Sequence, residues 1–240
     1  ATVTLRGMVN VVVTMDSSST ELHSGMFGGA APDALAALVH TLATLRDSDG
    51  NTTIDGLESD QVWRGEAYPQ DQFRSDAAIL NGVSILGPGT VSDMLWARPA
   101  LTILGIDCPP VVGSAAAIVP KASARLNLRI PPGVSPESAE AALRAHLISA
   151  TPWGIDCVVE TEATGSPFAA ETDGPAYRAF ATAMSEAYGV EMTHLGQGGS
   201  IPLCNVFDEL YPAAAIILTG VAEPLAAIPP LDHGVQPSES

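Results

Sequence analysis

Apolar and polar positions along the chain change period several times, and each change marks an element. Residues 2–15, TVTLRGMVNVVVTM, are rich in β-branched side chains and partly alternate, which predicts a strand. From 32 to 47 the period lengthens. Leu35, Leu38, Val39, Leu42 and Leu45 recur at helical spacing, with Pro32 in the first turn and DSDGN as the stop. Residues 50–98 keep no steady period; their turn signals DG, NG and GPG, two tryptophans and scattered charge read as an insertion with one short helix near 70–80. Strands return at 100–107 (ALTILGID) and 121–131 (KASARLNLRIP), the second alternating as a half-buried antiparallel strand does, so that Leu126, Leu128 and Ile130 share one face. SPESAEAALRAHLISA (135–150) predicts a second helix with Ser135 as N-cap and Pro136 at N1, and GIDCVVETEA (154–163) a further strand.

The order over residues 2–163 is therefore β-α-(insertion)-β-β-α-β. That is the split βαβ, ferredoxin-like α+β pattern: a four-stranded antiparallel sheet with two helices on one face. Beyond the turn-rich TGSPFAAETDGP the character changes. A helix at 176–189 ends at Gly189, the glycine loop of LGQGGSIPLCNVFDEL (195–210) leads into another helix, and AAAIILTGV (213–221) predicts a buried strand. This 164–240 segment is too small to make its own core. It reads as the end of an α/β domain whose earlier strands lie elsewhere.

Composition narrows the function classes. At 240 residues, 46% hydrophobic and only 15% charged, the chain has enough apolar surface for a packed core. A net charge of −17 with ten scattered basic residues excludes nucleic acid as a partner, since phosphate binding needs clustered Lys and Arg. No run of about eighteen apolar residues predicts a membrane span, and no export signal opens the chain. Ala1 in place of Met points to processing or to a longer polypeptide. Cys108, Cys157 and Cys204 lack metal-type spacing and read as free thiols of a reducing, cytoplasmic protein.

The candidate chemistry starts at TELHSGMFGGAAPDAL (20–35), which sets His23 among Ser24, Gly25, Gly28 and Gly29 directly before a helix. By itself this histidine is either a ligand-facing group or a capped structural residue. ELHSGMFGGAAPDALAALVHTLATL, IVPKASARLNLRIPPG and GGSIPLCNVF, in that order, together resemble the M20 metallopeptidases, on the side of the carnosine-dipeptidase-like branch. The resemblance runs over nearly the whole chain. It implies a lid domain that makes a homodimer, joined to the last part of a zinc-peptidase-type catalytic domain. The whole enzyme would hydrolyse a dipeptide or N-acyl amino acid at two zinc ions.

The same resemblance gives roles to residues. His23 would reach the neighbouring subunit's site and steady the tetrahedral oxyanion. Arg129 of LNLRIPP would hold the substrate carboxylate, and Gly199 and Ser200 of GGSIP would present backbone and hydroxyl donors to it. Without the resemblance, Arg129 is an exposed strand charge. Three departures stand out. The family's first metal ligands would precede Ala1. Its last metal histidine falls at Pro229, which cannot ligate, with His233 four residues on. Polar side chains before VPKA are replaced by Ala115, Ala116 and Ala117. No metal ligand is therefore assigned, and the chain alone is expected to bind no zinc and to be inactive. His40, His146 and His194 read as surface or packing residues. The alternative is a non-catalytic relative that serves as a dimerisation or ligand-binding module.

Overall fold

A computed structural model describes residues 1–220. The expected first strand is two strands, β1 (Thr2–Leu5) and β2 (Gly7–Asp16), which belong to different sheets. β1 lies between β8 (Phe168–Ala169), antiparallel to it, and β9 (Leu195–Gln197), parallel to it. The Arg6 N–H donates to Gln197 O at 3.1 Å, so the chain follows the small sheet through Arg6 and leaves it at the next residue. Gly7 permits the crossing: a Cβ there would lie 2.4 Å from Gly165 O and 2.6 Å from Pro167 N, both backbone atoms that cannot give way.

The larger sheet has the order β4 (Ala100–Asp107), β6 (Lys121–Ile130), β2, β7 (Asp156–Gly165), with every neighbouring pair antiparallel. α2 (Ala34–Ala43) and α4 (Pro136–Ala150) connect and cover it, giving the split βαβ arrangement that the periodicity predicts. The core lies between helices and sheet. Val9, Val11, Val13 and Met15 of β2, Leu126, Leu128 and Ile130 of β6, Leu38 and Leu42 of α2, and Leu143 and Leu147 of α4 form one buried cluster. Asp33, and not the proline before it, starts α2: its carboxylate accepts from the N–H groups of Leu35 and Ala36 at 2.9 and 3.2 Å. Val39 departs from the predicted apolar stripe and is 54% exposed. Ser135 caps α4 as its sequence suggests, its Oγ accepting from Ser138 N–H at 3.1 Å.

Residues 50–98 contain α3 (Gln70–Asp76) and a π-helical turn at Asp93–Ala97. The segment is held by buried polar groups. The Asp93 carboxylate accepts from the N–H groups of Trp63 and Thr90 at 2.7 and 2.8 Å, and Arg98 Nε donates to Gln61 O at 2.8 Å. Trp96 meets Trp63 edge-to-face at 5.1 Å and lies against Gly196 of β9, where a Cβ would sit 2.4 Å from its Cγ. The insertion thus ties the large sheet to the small one.

The tail carries α5 (Pro175–Tyr188), closed by Gly189 at φ +71, and α6 (Pro202–Leu210). The strand expected from residue 213 is reduced to one bridge, Thr2 to Leu218. The physical reason is space: β8 already pairs with Thr4 and Leu5, and Ala170 N–H donates to Val3 O, which leaves Thr2 alone on that edge of β1. Ile216 and Leu218 pack instead on a small cluster of Leu5, Phe168 and Cys204. Pro229 and His233 lie outside the described residues.

Candidate active-site elements

His23 ends β3 (Leu22–His23), which pairs with β5 (Ala117–Ile118) in a separate two-stranded ribbon. It is exposed, and it is also the N-cap of the single turn α1 (Ser24–Phe27). Its Nδ1 accepts from Gly25 N–H at 3.1 Å, so in the neutral ring the proton sits on Nε2, a donor left free to meet a ligand. The dense glycines follow from this turn. A Cβ on Gly25 would lie 3.0 Å from His23 Cε1, one on Gly28 would lie 2.3 Å from Ser24 O, and Gly29 has φ +87. Of the two readings open from the sequence, the cap is observed, and it leaves the other ring nitrogen unused by the turn. The alanine stretch is its neighbour, with Ala117 opposite His23 and Ala116 O accepting from Ser24 N–H at 2.9 Å.

Arg129 and Ser200 lie at one end of the large sheet, on or beside strands that flank β2. Arg129 is half-buried on β6, opposite Met8 of β2, and Met8 is in turn opposite Gly165 of β7. A Cβ at Gly165 would lie 3.5 Å from Met8 Cγ and 3.7 Å from Ser200 Oγ, which places the serine over that strand end. Gly199 is exposed beside it, on the loop that enters α6. Arg6 closes the group. It is 8% exposed, and its guanidinium lies at Gly198, where a Cβ would stand 2.8 Å from one of its terminal nitrogens. Burial, reinforced by the charge of Arg129, pushes the Arg6 pKa down to about 10. Nε and one terminal nitrogen of Arg6 are buried without a hydrogen-bond partner among the described residues.

The other histidines do separate jobs. His146 is buried: its Nδ1 accepts from Asp55 N–H at 3.2 Å and its Nε2 meets Thr44 Oγ1 at 2.9 Å, a packing role. His40 is exposed, and His194 packs edge-to-face on Tyr177. Among the described residues no three His, Cys, Asp or Glu side chains converge as metal ligands, so these residues by themselves do not fit a metal centre. The three cysteines are unpaired, and burial raises the thiol pKa of Cys157 and Cys204. An apolar cleft of about 340 Å³, lined by Phe73, Ile79, Val91 and Met94 among others, lies in the insertion and includes none of the candidates.

Compared with known families, residues 3–155 match the M20 peptidase dimerisation domain. The chain belongs to that family. Over 238 residues it is 37% identical to the cysteinylglycine-S-conjugate dipeptidase of Corynebacterium striatum, covering 98% of this chain and 52% of the relative. Human carnosine dipeptidase 1 has the same fold, with a TM-score of 0.69 at 23% identity over 87% of this chain and 47% of that one. The dipeptidase Dug1p of Saccharomyces cerevisiae gives 0.69 at 21% identity, over 87% and 46%. The chain spans about half the length of the curated relatives it matches.

In this M20 dimerisation-domain chain the candidate side chains fall into two separate groups, one around His23 and one around Arg129. Arg6 is not among the candidates that the sequence reading gives. The signal was present, as an arginine followed by glycine inside an otherwise apolar strand pattern, but periodicity treats such a residue as one more outward-facing position.

Proposed function

We propose that the chain is the lid and carboxylate-binding part of an M20 dipeptidase or N-acyl-amino-acid hydrolase. The observation that carries this reading is the placement of Ser200 over the end of the large sheet that also holds Arg129: Ser200 lies at Gly165, Gly165 is opposite Met8, and Met8 is opposite Arg129. In this reading Arg129 offers its guanidinium fork, and Ser200 and Gly199 offer hydroxyl and backbone N–H, to the free carboxylate of a small substrate. His23 serves the partner subunit's site. Its Nε2–H is free and exposed, its ring is held by Gly25, and a positioned donor at a developing oxyanion is worth about 3–4 kcal/mol.

The dimer forms through the large sheet and α2. Among the described residues β4 pairs only with β6 and leaves an edge carrying Ile103, Leu104 and Ile106, each 41–49% exposed, while Val39 stands out from α2. Metal chemistry, two zinc ions in this reading, belongs to residues other than those described. Three free thiols suit a reducing compartment such as the cytoplasm, and no helix among the described residues is long and apolar enough to cross a membrane.

Ala115–Ala117, beside His23, favour a second reading. A wall without side-chain donors or acceptors suits a non-catalytic dimerisation or ligand-binding module. Complementation separates the two. The protein as its gene encodes it, supplied with zinc, is assayed on cysteinylglycine and β-alanylhistidine as wild type, His23→Ala, Arg129→Met and an equal mixture of the two variants. Each variant is expected to lose most activity and the mixture to regain about a quarter of wild type, because half the dimers then hold one complete site. A wild type that binds no zinc and hydrolyses neither dipeptide supports the second reading. Two inactive variants that stay inactive when mixed refute the action of His23 across the dimer.

A further inference from the structure

Arg6 is an unusual residue to bury. It sits where the chain crosses from one sheet to the other, with its backbone fixed to Gln197 and its side chain more than nine-tenths covered. Of its guanidinium donors, those on Nε and one terminal nitrogen find no acceptor among the described residues. The charge that acts on it most is another cation, Arg129. Among the described residues no carboxylate forms an ion pair with either arginine. Two neighbouring cations, one of them desolvated, repel each other and leave donors unsatisfied, a costly arrangement unless an anion completes it.

The surroundings are shaped for that anion. Gly198 lacks the side chain that would collide with the Arg6 guanidinium. Ser200 Oγ lies 3.7 Å from where a Gly165 Cβ would be, which sets the serine over the end of β7, and Gly199 is exposed beside it. The loop thus meets the Arg6 guanidinium at Gly198 and carries the Ser200 hydroxyl two residues further on.

We infer that Arg6 is the second cationic arm of the anion site, and that Arg6, Arg129 and the Gly198–Ser200 loop together hold one carboxylate of the substrate. This deepens the reading of Arg129 and Ser200 given above and rests on it. It also defines the substrate class more sharply. A free carboxylate is obligatory at this end, since a terminal amide or ester gives the paired arginines no charge to neutralise and leaves buried donors unmade. A site built in this way rejects an analogue lacking its partner group far more strongly than an apolar pocket rejects an extra methylene.

The arrangement has a signature that a structural arginine would not show. Anion binding to the folded state raises Tm with anion concentration, whereas replacing Arg6 by an apolar side chain of similar length relieves the unpaired charge. The test uses the protein as its gene encodes it, with inorganic phosphate as probe at constant ionic strength, and compares wild type with Arg6→Met, Arg6→Lys and Arg129→Met by thermal melting. Wild type is expected to gain Tm with phosphate. Arg6→Met is expected to melt no lower than wild type without phosphate and to need at least tenfold more phosphate for the same gain. Arg6→Lys, which keeps the charge and loses the fork, should fall between, and it decides the question if Arg6→Met does not fold.

An Arg6→Met protein that melts lower yet responds to phosphate like wild type would show a structural arginine paired elsewhere and overturn the inference; no phosphate response in wild type would overturn it as well. The two readings fail differently. Loss of the response in Arg129→Met but not in Arg6→Met ends this inference and leaves the function reading standing. Loss in both, in a protein that hydrolyses no dipeptide, keeps the two-arginine site and ends the function reading.

Discussion

Replacing Leu128 by alanine removes three carbon groups from the middle of the large sheet. Leu128 is fully buried, and its register partners, Val9 on β2 and Leu101 on β4, are 0% and 1% exposed. At about 0.8 kcal/mol per buried CH₂, the transfer loss is about 2.4 kcal/mol. Strands on both sides and helices above restrict collapse into the space, so a cavity contribution adds to it and the total comes to about 3–4 kcal/mol. For a domain of this size that is a fall in Tm of roughly 10 °C. Leu80→Ala is the matched control: the same atoms leave a side chain that is 75% exposed, and the cost should stay below about 0.5 kcal/mol. Urea unfolding followed by circular dichroism, read as a shift in midpoint at unchanged slope, measures both. A Leu128→Ala cost below about 1 kcal/mol, or equal costs at the two positions, would refute the assignment of this face of β6 to the core.

Gly25→Ala puts a Cβ 3.0 Å from His23 Cε1 and should turn the ring off its capping bond, lowering kcat about tenfold with KM and Tm nearly unchanged; steady-state kinetics that match wild type would show that the ring needs no fixed position. Acid should destabilise the insertion through Asp93. Burial works to raise its carboxyl, but the N–H groups of Trp63 and Thr90, the Thr90 side chain and Arg98 outweigh it and hold the pKa below the ordinary 3.8. A carboxyl lowered by folding stabilises above its unfolded pKa and loses that contribution as pH falls through its folded value, so Tm should drop below about pH 4 and Asp93→Asn should flatten that part of the curve. Light scattering at micromolar concentration should report a dimer, and Leu104→Lys on the exposed β4 edge should give a monomer; a Leu104→Lys dimer would place the interface elsewhere.

Which segments become strands and helices was legible in the sequence because burial on one face imposes a local period. The alternation of 121–130 and the spacing of Leu38 and Leu42 needed nothing beyond their own neighbourhoods, and Ser135 followed by Pro136 announced the start of α4. Motif order also pointed to His23, Arg129, Gly199 and Ser200 before any coordinates. What pairs with what was decided by residues far away. Residues 2–15 look like one strand, yet Thr2–Leu5 belongs with residues 168–169 and 195–197, and the change of sheet falls at Arg6 because Gln197 and Gly165 happen to lie there. The apolar run from 213 had the composition of a strand but found only one free residue on the edge of β1. The site followed the same division. Side-chain type was written locally, whereas the closeness of Arg6 to Arg129, and the absence of any acid between them among the described residues, exists only once two sheets meet. Periodicity records which way a side chain faces, and charge pairing depends on what the fold sets opposite it.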